Sequence, residues 1–122
     1  MEKRTLTITL QSDWKAALRK AGKAAQHASY QGETLNFESP GSFFSRLSER
    51  RWAIVHALQA TGSTMGVREL ARYLERDVKR THEDAQALVE LGLIERDSKG
   101  ALTCPYADIH VDMHVTPEIA VA

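Results

Sequence analysis

Residues 71–102 read ARYLERDVKRTHEDAQALVELGLIERDSKGAL, and the order of elements in this stretch decides the fold. Asp77 stands where a helix N-cap would, with a side chain able to accept from backbone N–H groups of the first turn. Val78, Thr81, Ala85, Leu88 and Val89 then recur at helical spacing and form an apolar stripe that ends at Gly92. Lys79, Arg80, His82, Glu83 and Gln86 fall off the stripe, so one helix is oily underneath and polar outside, most strongly in its first half. After Gly92, Leu93–Arg96, Asp97–Gly100 and Ala101–Thr103 read as strand, turn and strand, with Gly100 suited to positive φ.

Working back toward the N-terminus, Val67, Leu70, Ala71 and Leu74 share one face of a two-turn helix that precedes Asp77. Gly62 and Gly66 bracket a short connection before it. Ser42 opens a longer helical stretch carrying Phe43, Leu47, Ile54, Val55 and Leu58. The first forty residues read as strand, helix and strand. Residues 5–10, TLTITL, set Leu6, Ile8 and Leu10 opposite three threonines. Asp13 caps a helix bearing Trp14, Leu18, Ala21 and Ala25 that runs to about Ser29, and Gly32 marks the turn out of it. Leu35 and Phe37 then alternate within residues 34–38 before Pro40-Gly41 breaks the pattern. Beyond the hairpin, Pro105 interrupts, and Ile109, Val111, Met113 and Val115 alternate with His110, Asp112 and His114 in a last strand.

The expected class is therefore α+β. It is a winged helix-turn-helix over residues 41–104, with a strand–helix–strand extension over 1–40 and a C-terminal strand and tail over 105–122. A short helix bracing a second, polar-fronted one is the arrangement that enters a DNA major groove about 12 Å wide. On this reading the DNA-binding residues are Arg68, Arg76, Lys79, Arg80, His82, Glu83, Gln86, Arg96 and Lys99. Lys79 and Arg80 suit guanine or phosphate and Gln86 suits adenine, while Arg96 and Lys99 reach a flanking phosphate or the minor groove from the hairpin. Arg68 either holds a phosphate or pairs with Glu69. The competing reading of all these charges is a solvated helix face, and position in the second helix of the motif favours DNA.

Composition fits this class without demanding it. The chain has 122 residues, 43% hydrophobic and 26% charged, with 16 basic and 16 acidic side chains and so no net charge. Residues 1–40 carry six Lys/Arg and four Asp/Glu, residues 41–105 ten and nine, and residues 106–122 none and three. Attraction to phosphate must come from a local face. No apolar run approaches the ~20 residues of a membrane span, no secretory signal opens the chain, and the single Cys104 fits a reducing cytoplasm. A cytoplasmic protein is expected. The sequence holds no nucleophile motif, glycine-rich phosphate loop or paired-carboxylate helix, so it reads as a non-enzyme without a cofactor.

The run from residue 71 to residue 102 resembles the recognition half of MarR-like regulators, in which a glycine-ended helix leads into the wing, as Ala87–Ile94 does here. RWAIVHALQ (51–59), VRELARYLERDVKR (67–80) and CPYADIHVDMH (104–114) resemble a family of bacterial and archaeal transcriptional regulators spanning nearly the whole chain. Members are often encoded beside a small toxin. The resemblance implies a homodimeric repressor and an antitoxin that regulates its own operon. MarR-like proteins dimerise through long terminal helices, which this sequence does not offer, so the contact would fall to the strand–helix–strand front and the last strand.

Three other readings stand beside this one. Thr5, Thr7 and Thr9 suit a ribbon-helix-helix repressor, whose paired N-terminal strands read bases, or an exposed sheet edge that pairs with a partner. His110, Asp112 and His114, with Cys104 nearby in sequence, suit a metal-responsive regulator. A winged helix used only to bind protein is the alternative without DNA, and it would tolerate Glu83 and Glu95 neutralising the basic face. Cys104 reads as packed, and Trp14 and Trp52 as core or interface anchors.

Overall fold

The computed structural model describes residues 4–10, 32–114 and 117. The expected helix after Asp13, with Trp14, and the last-strand residue Val115 lie outside the described residues. The described chain is α+β. Its elements in order are β1 (Arg4–Leu10), β2 (Glu33–Phe37), α1 (Pro40–Arg46), α2 (Glu49–Thr61), α3 (Val67–Leu74), α4 (Val78–Leu91), β3 (Glu95–Arg96), β4 (Leu102–Thr103) and β5 (Tyr106–Asp112).

The helix boundaries follow local chemistry. Asp77 accepts from the Arg80 N–H at 3.0 Å and starts α4. Gly92, at φ 86°, ends it in the left-handed region, with the Gly92 N–H donating to the Val89 carbonyl and the Leu93 N–H to that of Leu88. This cap explains why β3 is shorter than the expected 93–96. The Leu93 N–H is already used by the helix end, and Leu93 and Ile94 are buried before the ladder starts at Glu95.

The stretch expected to be one helix from Ser42 onward is two. Ser39 caps α1, with Pro40 in its first turn. Leu47 then leaves helical geometry, and the Ser48 hydroxyl accepts from the Arg51 N–H to start α2. A second hydroxyl cap within the apolar run breaks the helix without disturbing its 3.6-residue stripe.

Two sheets form. β3 and β4 pair antiparallel, Glu95 opposite Thr103 and Arg96 opposite Leu102. The Asp97 carboxylate closes their turn by accepting from the Lys99 and Ala101 N–H groups, each at 2.9 Å. Met65, ahead of α3, exchanges two backbone hydrogen bonds with Leu102 and adds a rung on β4.

The other sheet has the order β2-β1-β5 with all pairs parallel, Ile8 lying opposite Leu35 on one side and Val111 on the other. The threonine strand is therefore central. This overturns the ribbon-helix-helix reading of Thr5, Thr7 and Thr9, since a strand paired on both sides cannot enter a groove. It also corrects the assignment of an open edge to β1, because among the described strands the edges are β2 and β5.

One core joins the halves. Leu6, Ile8 and Phe37 of the parallel sheet share a buried cluster with Phe43 of α1, Ile54 and Leu58 of α2, Leu70 of α3 and Leu88 of α4. Phe37 and Phe43 meet edge to face at 5.4 Å, and Trp52 packs on the same cluster, as an anchor should. Each fully buried Leu or Ile contributes about 1.5–3 kcal/mol, so Leu88 holds α4 more firmly than an exposed ion pair of about 0–1 kcal/mol would.

Arg4 ties the sheets across their polar rim. It forms a two-point pair with Glu33 of β2, at 2.6 and 3.0 Å. It also reaches Glu95 of β3 at 3.5 Å and lies over the Tyr106 ring of β5. The hydrogen bond to Glu33 raises the guanidinium pKa further above its usual range.

Candidate nucleic-acid interface

The outward face of α4 is built from residues three and four apart. Thr81, Ala85 and Leu88 are buried, which by helical geometry turns Lys79, His82, Glu83 and Gln86 to the opposite side, and all four are exposed. Val78, also exposed at 41%, adds an apolar edge at the start of the helix. Behind α4, Leu70 and Ala71 of α3 are buried against it, so the polar face rests on a rigid base.

The hairpin brings a second group alongside. Arg96 donates to the Gln86 side-chain carbonyl at 3.4 Å, linking β3 to the exposed face of α4. Lys99, at the hairpin turn, lines a groove with Arg68, Glu69 and Arg72 of α3. Two predicted clusters thus form: Lys79, His82, Glu83, Gln86 and Arg96 on one side, and Arg68 with Lys99 on the other.

Arg76 and Arg80 take a different position. Arg76 is half-buried and donates to the Arg50 backbone carbonyl at 2.9 Å, joining the α3–α4 connection to the start of α2. Arg80, one residue around the helix from Lys79, lines a cleft with Arg50, Arg76, Asp77 and Asp84. Arg51 closes the neighbouring contact, pairing with Asp84 at 3.1 Å and donating to the Arg46 carbonyl at 2.7 Å. Arg76 and Arg51 are thereby drawn inward as interhelix braces.

The acidic residues on these faces are partly accounted for. Glu95 reaches Arg4 at 3.5 Å, but that arginine is already paired with Glu33, so the three side chains together carry one net negative charge beside Arg96. Glu83 is exposed among Lys79, His82 and Gln86 with no side-chain partner among the described residues. Acidic side chains are as numerous as basic ones around α3, α4 and the hairpin. Glu69, Glu75, Asp77, Glu83, Asp84, Glu90, Glu95 and Asp97 are exposed or half-exposed beside Arg68, Arg72, Arg76, Lys79, Arg80, Arg96 and Lys99, so any attraction to phosphate is local to Lys79, Arg80, Arg96 and Lys99.

Arg50, Arg72 and Tyr73 escaped the sequence reading. Arg72 and Tyr73 lie off the Leu70–Leu74 stripe, which is a visible signal, but nothing local places Arg72 beside the hairpin. Tyr73 is 56% exposed, unusual for a residue of its size.

The metal reading finds no cluster. His114 Nε2 lies 3.0 Å from Asp112 Oδ1, and no group of three or more His, Cys, Asp or Glu that could hold a metal forms among the described residues. Cys104 is half-buried against the core with its thiol directed at the Leu93 and Tyr106 carbonyls, and burial raises its pKa. No helix among the described residues is long and apolar enough to cross a membrane.

Fold and site together define an α+β protein in which a helix braced by a shorter one lies beside a short hairpin. The chain belongs to the HVO_A0114 family, whose family model matches residues 46–111, from the end of α1 to near the end of β5. No curated protein and no solved structure matches the chain.

Proposed function

We propose that this protein is a winged helix-turn-helix regulator that binds double-stranded DNA, with α3 as the bracing helix, α4 as the reading helix and the β3–β4 hairpin as the wing. The observation that carries this reading is the division of α4 beside the hairpin. Its underside is fixed in the core by Thr81, Ala85 and Leu88, while Lys79, His82 and Glu83 are exposed on the other side, next to Gln86 and the Arg96 that donates to it. A solvated scaffold helix is amphipathic too; what favours the groove reading is the hairpin arginine set alongside that outer face.

In this mechanism Lys79 and Gln86 meet base edges, Arg80 and Arg68 hold phosphates on either side, and Arg96 and Lys99 touch the flanking backbone from the wing. Glu83 accepts from a cytosine amino group, which converts an unfavourable charge into a sequence preference. His82 donates to phosphate or base. Two copies place their α4 helices in successive major grooves about 34 Å apart on a pseudo-palindromic site. Affinity falls steeply with salt because each neutralised phosphate releases counterions.

The resemblance of residues 51–59, 67–80 and 104–114 to bacterial and archaeal transcriptional regulators extends the proposal to a cytoplasmic repressor, and to an antitoxin that regulates its own operon with a small toxin as partner. The lack of a catalytic motif makes it a non-enzyme on this reading. A titration of the protein on its own upstream DNA tests the DNA reading. The double substitution Lys79→Ala/Arg80→Ala weakens specific binding by a few kcal/mol, scaled from about 1–3 for each good bidentate contact. Unchanged affinity in that variant refutes the helix assignment. Co-expression with the adjacent reading frame tests the antitoxin reading by yielding a stable complex, and two separately eluting proteins would contradict it.

A further inference from the structure

We infer that the edge of β5 away from β1, from Asp108 onward, pairs antiparallel with the same edge of a second copy of this chain, about a twofold axis through Val111, to make one continuous sheet. The inference rests on the sheet alone and not on DNA binding. β5 is seven residues long and ends the order β2-β1-β5, so one of its edges carries backbone groups that no described strand pairs. Neither β5 nor the two residues that follow it, Met113 and His114, include lysine or proline, the residues that commonly guard an edge. Val111 and Met113 are apolar and more than one-third exposed.

The pattern of side chains selects the partner and the register. In an antiparallel pair, directly opposed residues lie on the same face of the sheet. A twofold pair is therefore centred on a residue, never between two. Centring on His110 sets Asp108 against Asp112, and centring on Asp112 sets His110 against His114, so both juxtapose like groups. Centring on Ile109 sets Asp108 against His110 but leaves Asp112 opposite Tyr106, across the irregularity at Arg4/Thr5, so only one of the two aspartates meets a histidine. Centring on Val111 sets His110 opposite Asp112 and Asp108 opposite His114, each twice by symmetry. In the same register Ile109 faces Met113 and Val111 faces its own copy. Every aspartate of the strand then meets a histidine, and every apolar residue meets an apolar one.

On the polar face, the β1 residues opposite Asp108, His110 and Asp112 are Thr5, Thr7 and Thr9, none of them charged. Within one chain His114 contacts Asp112 and the His56 side of α2 shares a cleft with Asp108, and the remaining pairing falls to the partner strand. The other edge lacks this complementarity. The same operation on β2, centred on Leu35, sets Glu33 against Phe37 and Thr34 against Asn36.

Cross-linking and sedimentation test both the surface and the register. In a Cys104→Ala background, Val111→Cys joins most of the protein into covalent dimers with a short bismaleimide. Met113→Cys alone does not, because its copies lie four residues out of register, about 13 Å along the strand. Ile109→Cys mixed with Met113→Cys restores the cross-link. In sedimentation equilibrium the wild type is a dimer, and His110→Asp raises its dissociation constant tenfold or more. His110→Asp/Asp112→His, which exchanges the two groups, returns it toward the wild-type value. Circular dichroism melts check that each variant folds. A monomeric wild type, a dimer in which Met113→Cys cross-links as well as Val111→Cys, or an exchanged variant as weak as His110→Asp would each overturn the assignment.

Discussion

Lys79 and Arg76 are three residues apart, both cationic and both beside the α3–α4 connection, yet they belong to different parts of the machine. Arg76 is held by the Arg50 carbonyl and joins two helices. Lys79 is exposed on the outer face of α4 without a side-chain partner among the described residues. The difference teaches that basic residue type near the motif says little, and that existing engagement decides. A cation already donating to a neighbouring helix contributes to stability, whereas one with no partner is available to a ligand. Substitutions on the two sides should separate stability from binding.

The largest effect belongs to the frame. Leu88→Ala removes a wholly buried side chain beneath α4 and should cost about 2–5 kcal/mol of unfolding free energy. It should weaken DNA binding only as the folded fraction falls, which denaturant melts and a titration on the same sample would show. Lys79→Ala/Arg80→Ala should do the reverse, losing a few kcal/mol of specific binding with the melting temperature almost unchanged. If that variant melts early instead, these residues belong with Arg76. Arg76→Ala itself should cost about 0.5–1.5 kcal/mol of stability, the scale of one hydrogen bond, and leave binding nearly intact. A large loss of affinity in a well-folded Arg76→Ala protein would move Arg76 to the exposed set.

The smallest effect has the opposite sign. Glu75 ends α3 at φ 55° in the left-handed region, the one described non-glycine residue with positive φ. Relief of about 1–2 kcal/mol of backbone strain in Glu75→Gly is opposed by roughly 0.4–1 kcal/mol of added unfolded-state entropy. A net gain of about 0.5 kcal/mol should appear in denaturant melts. Binding should not change.

Much of the helical half was legible because its boundaries are written in single residues. Asp77 caps α4, Gly92 stops it, Gly62 and Gly66 flank the connection, and Gly100 serves the turn. These signals act over four residues or fewer, so a reading by spacing finds them. The split at Leu47–Ser48 was missed since a serine inside an apolar periodic run looks like an ordinary surface position.

The parallel sheet was illegible for another reason. β1 pairs with a strand a hundred residues away, and alternation in TLTITL is the same whether the strand is central or at an edge. Within the candidate site, the outward set on α4 followed directly from the 3.6-residue period. The Arg96–Gln86 contact and the engagement of Arg76 by a backbone carbonyl depend on how the helices and hairpin come together, which no local pattern encodes.

The central claim is that the outer face of the first two turns of α4, together with the hairpin, meets the duplex. Amide chemical-shift mapping of the labelled protein, titrated with its own upstream DNA, tests this most directly. The account predicts the largest changes at residues 78–86 and 96–100, with residues of β1 and β2 nearly still. Changes concentrated on the parallel sheet, or no changes at saturating duplex, would contradict it.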